Sequence, residues 1–197
     1  VNNMVLADWR KMVQAQQARF VTSSLAEGAR FVQAVGEACS SAEVVPELRL
    51  GATFVDVSSR DDAVAQQISA IAAEHGLTAD PTAVAQLEIA LDTADLPEIG
   101  PFWAAVLTGT TDSFQGNDIL DPTGRIPNIW FQGTSPHATP RQRFHLDLWL
   151  PAEVVPDRIK AGLAAGGKIA YDDEAPAFIV LADPQGNKVC LCTSDGR

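Results

Sequence analysis

Two stretches of strict alternation in the second half of the chain constrain its fold more than any other feature. In residues 86–92, Leu87, Ile89 and Leu91 alternate with Glu88, Ala90 and Asp92. In residues 144–150, Phe144, Leu146, Leu148 and Leu150 alternate with His145, Asp147 and Trp149. A period of two is the mark of a strand with one apolar and one polar face. Each stretch leads into a helical pattern. Phe102, Trp103, Val106 and Leu107 end at Thr108-Gly109, and Val155, Ile159 and Leu163 end at Gly166-Gly167. Extended pieces then follow each helix. The first set lies around 118–120 and 126–132, split by the turn Asp121-Pro122-Thr123-Gly124. The second lies around 168–171, 178–182 and 188–193, with 183–187 as a hairpin turn. The order β-α-β-β(-β) therefore occurs twice, in modules of roughly 50 to 60 residues, which is an internal repeat.

The first part of the chain has a different pattern. Residues 5–17 are rich in helix formers and place Trp9, Met12, Val13 and Gln16 on one face, predicting a helix. Residues 18–22 read as a short strand. Ser23 or Ser24 caps the next helix, with Glu27 three residues after Ser24 as in a capping box. Phe31, Val32, Val35, Ala38 and Cys39 form its inward stripe. Beyond Pro46, residues 48–50 and 52–57 are extended runs around Gly51, a hairpin or a bulged strand. Asp61 and Asp62 open a helix carrying Val64, Ile68 and Ile71, which stops at Gly76. His75 in its last turn is a structural residue in this reading. Residues 77–82 have linker character, with Asp80-Pro81 as the breaker. The expected class is α+β: a small α/β sandwich at 1–76, a linker at 77–83 and paired βαβββ modules at 84–197.

Charge narrows the partners. The 197 residues carry 25 acidic and 14 basic side chains, a net charge of −11. Nucleic acid and anionic membranes need a basic surface to displace counterions, so neither is an expected partner. The absence of an apolar run of about 18 residues excludes a membrane-spanning helix. Val1-Asn2-Asn3-Met4 lacks the basic region and apolar core of a signal peptide. Three cysteines, Cys39, Cys190 and Cys192, make an odd count without a paired framework, which points to a reducing cytoplasm. No Walker loop, dinucleotide glycine pattern, nucleophile elbow or zinc-finger spacing is present.

The segments Pro101-Phe102-Trp103-Ala104-Ala105-Val106-Leu107, Phe144-His145-Leu146-Asp147-Leu148 and the run from Leu181 to Leu191 resemble the glyoxalase-like branch of the vicinal-oxygen-chelate superfamily, which includes bleomycin-resistance-like members. The resemblance covers about residues 84–197. It implies two βαβββ modules forming a curved sheet around a small-molecule cavity, with metal-ligand positions at Glu88, Gln132, His145 and Cys190. The usual acidic group on the last strand is missing, so the resemblance implies either no cofactor or a weakly bound divalent metal. The first part resembles pterin-4a-carbinolamine dehydratases over about residues 5–76. The supporting residues are Trp9-Arg10, Phe20, the run from Ala26 to Val35 and the passage from Ala38 to Pro46. That family's His-His-Pro motif reads Val44-Val45-Pro46 here, and its later loop is shortened to Ser58-Ser59-Arg60-Asp61. Valine neither donates nor accepts the proton that dehydration of a carbinol requires, so dehydratase activity is expected to be absent or very weak.

These readings place the working site in the C-terminal cavity. His145, Glu88 and Asp147 are the candidate proton-transfer residues. Trp130, Gln132, Trp149 and Cys190 are candidate ligand contacts, and Glu88, Gln132, His145 and Cys190 are the candidate metal set. The expected function is a lyase- or isomerase-type reaction on a small oxygen-rich or aromatic molecule. The alternatives are sequestration of a small molecule without turnover, and a residual pterin-binding or dimerisation role for the N-terminal domain. Trp103 reads as core, His137 as a loop residue, and Cys190 and Cys192 equally well as small buried hydrophobes. The resemblance to both families, together with open sheet edges, implies a homodimer.

Overall fold

The structure is a computed structural model that describes residues 6–108, 110–121, 123–124, 126–136, 144–164, 167–182 and 188–196. His137, the turn at 183–187, the first four residues, and Gly109, Pro122 and Gly166 of the turns named above lie outside them. Helices and sheets are mixed, and the chain divides into two units, Val1–Ala85 and Gln86–Arg197.

The first unit is built from β1 (Arg10–Lys11), β2 (Gln16–Val21), α1 (Leu25–Ala38), β3 (Glu47–Leu50), β4 (Phe54–Ser59), α2 (Asp62–Glu74) and β5 (Thr78–Ala79). Its antiparallel sheet has the order β1-β2-β4-β3, and β5 pairs with Phe20 and Val21 of β2, beyond the stretch of that strand that β1 covers. Alternation along β2 and β4 sends Ala18, Phe20, Val55 and Val57 to one face. There they meet Phe31 and Val35 of α1 and Val64, Ala65, Ile68 and Ala72 of α2 in a single core. Both helices start on capping side chains. Ser24 Oγ accepts from the Glu27 N–H while the Glu27 carboxylate accepts from the Ser23 N–H. Asp61 Oδ1 accepts from the N–H groups of Ala63 and Val64. These bonds satisfy donors that the first helical turn leaves open. Gly76, with φ +69°, closes α2 in the left-handed region that glycine adopts without a Cβ clash. His75 at the end of α2 packs edge-on against the Phe31 ring.

Two expectations for this unit are corrected. The helix expected over 5–17 is not formed by the described residues 6–17: Arg10 and Lys11 pair with Gln17 and Gln16 as a short hairpin, closed by the Met12 N–H donating to the Ala15 carbonyl. Tertiary packing overrides helix propensity here, because Trp9 and Met12 are buried and the Trp9 indole N–H donates to Ser69 Oγ at 2.9 Å. The stretch read as a linker, 77–83, contributes β5, whose Thr78 and Ala79 pair with Val21 and Phe20. Asp80 then folds into a turn, its carboxylate accepting from the N–H and hydroxyl of Thr82.

The second unit comprises β6 (Gln86–Thr93), α3 (Leu96–Thr108), β7 (Phe114–Gln115), β8 (Asp118–Ile119), β9 (Asn128–Gly133), β10 (Phe144–Trp149), α4 (Val155–Ala164), β11 (Lys168–Tyr171), β12 (Phe178–Ala182) and β13 (Lys188–Cys192). Its eight-stranded sheet has the order β11-β12-β13-β10-β6-β9-β8-β7. The first strands of the two modules, β6 and β10, lie antiparallel at the centre. Outward from each runs the parallel last strand of its own module, β9 or β13, and then an antiparallel hairpin. The two halves thus repeat one connectivity, as the sequence order requires.

The apolar stripes pack under the helices. Ile89 and Leu91 join Ile129, Phe131 and Ala104 beneath α3, with Trp103 at the margin, while Leu148 and Leu150 join Leu191, Leu181 and Val155 beneath α4. Among the described residues, no helix is long and apolar enough to cross a membrane. All three cysteines are buried, and none is in a disulfide.

Candidate functional site

The register of the central strands fixes which polar side chains meet. Glu88 of β6 lies opposite Asp147 of β10 on one side and Asn128 of β9 on the other, and Asp147 lies opposite Cys190 of β13. Alternation points all four to the sheet face away from the helices. Cys190, Asp147, Glu88 and Asn128 therefore form one row across four adjacent strands. This row is more deeply buried than the outer parts of the apolar stripe. Glu88 is 3% exposed and Asp147 5%, whereas Leu87 and Leu146 are each 41% exposed.

Buried charge needs partners. The Glu88 carboxylate accepts from Asn128 Nδ2 through one oxygen and from Trp149 Nε1 at 3.3 Å through the other. Asn128 Nδ2 also donates to Asp118 Oδ1 at 3.1 Å, which ties β8 into the network. Burial nonetheless dominates and raises the Glu88 pKa above the ordinary glutamate value. The two donors oppose that shift, and the charges of Asp147 and Asp118 add to it.

The imidazole of His145 sits one strand step along β10. Its Nε2 is 3.3 Å from Asp147 Oδ1 and its Nδ1 3.7 Å from Asp92 Oδ1. The Asp147 carboxylate raises the His145 pKa. Burial works against this, and the Asp147, Asp92 and Glu88 charges reinforce it. Both facing carboxylate oxygens, Asp92 Oδ1 and Asp147 Oδ1, are buried without an aligned hydrogen bond. Cys190 is held as the neutral thiol, its pKa pushed up by burial and then by the Asp147 charge.

The expected site residues are distributed unevenly over this geometry. Glu88, His145, Asp147 and Cys190 come together, and Trp149 joins them as an internal clamp on Glu88 with its ring buried. Trp130 is half-buried opposite Ala90 and Asp118. Gln132 is exposed at the far end of β9, opposite Asp92. The four positions Glu88, Gln132, His145 and Cys190 therefore do not converge as a ligand set: Glu88 is committed to Asn128 and Trp149, and Gln132 is outside the buried row. The donor atoms that do converge belong to His145, Asp147 and Cys190, all within 4.8 Å of one another. Asn128 and Asp118 carry no role in the sequence reading, and Asp92 appears there only as a face residue. Extending the alternation of Trp130 and Gln132 back by one step would have found Asn128.

The buried Glu88 also makes stability depend on pH. A carboxyl whose folded pKa is raised binds its proton more tightly in the native state. Its contribution is thus full below about pH 4, the ordinary glutamate range, and is lost as pH rises through the raised value. Asp147, Asp118, Asn128 and Trp149 face this group from β10, β8 and β9. Glu88→Gln is expected to flatten the fall in unfolding free energy over that range, measured by urea denaturation at a series of pH values. An unchanged pH slope would show that Glu88 titrates normally.

A family model described as "Glyoxalase-like domain" matches residues 88–192. No curated protein matches the chain.

Proposed function

The chain belongs to the glyoxalase-like domain family, and from that premise we propose that it is a lyase- or isomerase-type enzyme acting on a small oxygen-rich or aromatic molecule. The working site is the polar face of the β6–β10 sheet. One observation carries the reading: a buried carboxyl, Glu88, is held by two donors in the same row as Asp147, which touches the His145 imidazole. Groups whose environments raise their proton affinity toward neutrality suit proton transfer to and from a carbon or oxygen of a bound molecule. In this reading Glu88 and His145 exchange the proton and Asp147 orients the imidazole. Trp130 is the accessible aromatic surface for a flat ligand, and Gln132 reaches the molecule from the rim. A divalent ion held weakly beside His145 and Asp147 is compatible with the donor set, and would supply Lewis-acid polarisation of a substrate oxygen.

The test starts from a molecule that stays with the protein through purification and is released by denaturation. Solvent deuterium incorporated into that molecule, or its conversion to product, supports the enzyme. Binding without either supports the second reading, sequestration without turnover. That alternative draws on the internal engagement of both Glu88 oxygens.

We extend the proposal to the first unit as a dehydratase-like module without its active site. Two helices on one face of an antiparallel sheet support this reading, as does the exposure of Val44 and Val45 where proton-transfer groups would be needed. Dehydration of a 4a-hydroxytetrahydropterin is expected to run at its uncatalysed rate with the protein present, followed by absorbance. Clear acceleration would return the activity to this unit.

A further inference from the structure

We infer that His145, Asp147 and Cys190 form a three-donor site for a zinc-class divalent ion, displaced from the four strand positions that the family resemblance implies. The inference rests on the polar face being the working site and deepens that reading by assigning the ion its ligands and chemical class.

Three observations carry it. The imidazole nitrogen, carboxylate oxygen and thiol sulfur all lie within 4.8 Å of one another, on two adjacent strands whose register pairs Asp147 with Cys190. His145 Nε2 and Asp147 Oδ1 are 3.3 Å apart. Two ligands at about 2.0–2.1 Å from a tetrahedral ion sit about 3.4 Å from each other, so this pair needs little movement to share one. Asp147 Oδ1, on a side chain only 8% exposed, has the His145 ring nitrogen beside it but no hydrogen bond of good geometry. A buried carboxylate oxygen so poorly satisfied is costly, and a cation at this point would satisfy it.

The remaining contacts suit the same ion. Asp92 Oδ1 stands 3.7 Å from the other ring nitrogen, Nδ1. At that distance Asp92 makes no hydrogen bond to the ring, but its charge favours a proton on Nδ1, which leaves the Nε2 lone pair for the ion. The donor set is nitrogen, oxygen and sulfur. A thiolate with an imidazole favours zinc over magnesium or calcium, which take oxygen ligands. On binding, the Cys190 S–H bond breaks, its proton leaves to solvent, and the sulfur electron pair forms the bond to the ion. Three protein ligands leave a fourth position for water or for a substrate oxygen. When the ion is bound, His145 and Asp147 serve as its ligands in place of the proton-exchange and orienting roles proposed above, and Glu88 in the same row is the group left to move a proton.

Cobalt(II) titration of the full chain, stripped with chelator, reads this site without reference to activity. One equivalent should give tetrahedral ligand-field bands and a sulfur-to-cobalt charge-transfer band, both lost on adding zinc and unaffected by magnesium. Cys190→Ser should abolish the charge-transfer band, and Asp147→Asn should weaken binding by at least about 100-fold, while Asp92→Asn should cost about 10- to 100-fold. Glu88→Gln, Gln132→Ala and Cys192→Ser should bind within about twofold of the parent. Circular dichroism of each variant separates loss of ligation from loss of fold. Absence of a thiolate band in the parent overturns the site, as does a Cys190→Ser variant that binds unchanged. Loss of binding in Glu88→Gln equal to that in Cys190→Ser would place the ion at the four family positions instead. If no ion binds while Glu88→Gln still lowers turnover, the zinc site falls and the enzyme reading stands. If the ion binds and Glu88→Gln leaves turnover unchanged, the zinc site stands and the proton-transfer assignment falls.

Discussion

Glu88→Gln is expected to lower turnover at the polar face by about 10²- to 10⁴-fold, the range for a lost proton-transfer group. The size follows from geometry. Asn128 and Trp149 hold both oxygens of the carboxyl, so it is fixed against the sheet. No other described carboxyl in that row is held by two neutral donors. Glutamine keeps the shape and one acceptor but cannot take up or release a proton at neutral pH. His145→Ala should cost a similar factor. It should differ from Glu88→Gln in one respect, losing the ion together with the activity. Single-turnover rates with the native ligand would check both, and variants that both turn over like the parent would move the site elsewhere.

Phe31→Ala is expected to destabilise the first unit by about 3–5 kcal/mol. The Phe31 ring is fully buried, packs edge-on against Phe20 at 5.2 Å and against His75 at 6.2 Å, and joins α1 to β2 and α2 in one core. Its removal leaves a cavity that two helices on a sheet cannot close without moving backbone. A domain of this size has about 5–15 kcal/mol of total stability, so the loss is a large share of it. Amide hydrogen exchange reads the effect locally. Protected amides of α1, β2 and β4 should exchange at least about 100-fold faster, since each 1.4 kcal/mol is a factor of ten. Protection in β6 and β10 reports whether the second unit is affected. If the α1 amides keep their parent rates, the assigned core is wrong.

The two corrected expectations for the first unit share a cause. Arg10–Lys11 and Thr78–Ala79 are two-residue strands, too short to show a period, and both exist because β2 offers an edge to pair with. Local composition around Trp9 and Met12 favours a helix, and only burial of those side chains against the rest of the unit reverses it. The second unit was far more legible. Its central strands are long enough to alternate cleanly, and the alternation separates the face that packs under α3 and α4 from the face that carries Glu88, His145 and Asp147.

The sequence by itself therefore determined the class of the second unit, the order of its repeated elements and which residues share its polar face. Those properties depend on period-two alternation and on the succession of strand and helix patterns, both of which are local along the chain. Only the tertiary structure decided which polar residues meet. Register sets Asp147 between Glu88 and Cys190, brings Asn128 and Trp149 onto the Glu88 carboxyl and leaves Gln132 outside. A shift of one strand pair by two residues would preserve every alternation while assembling a different set of donors. That register is chosen by packing across the whole sheet, which no window of the sequence contains.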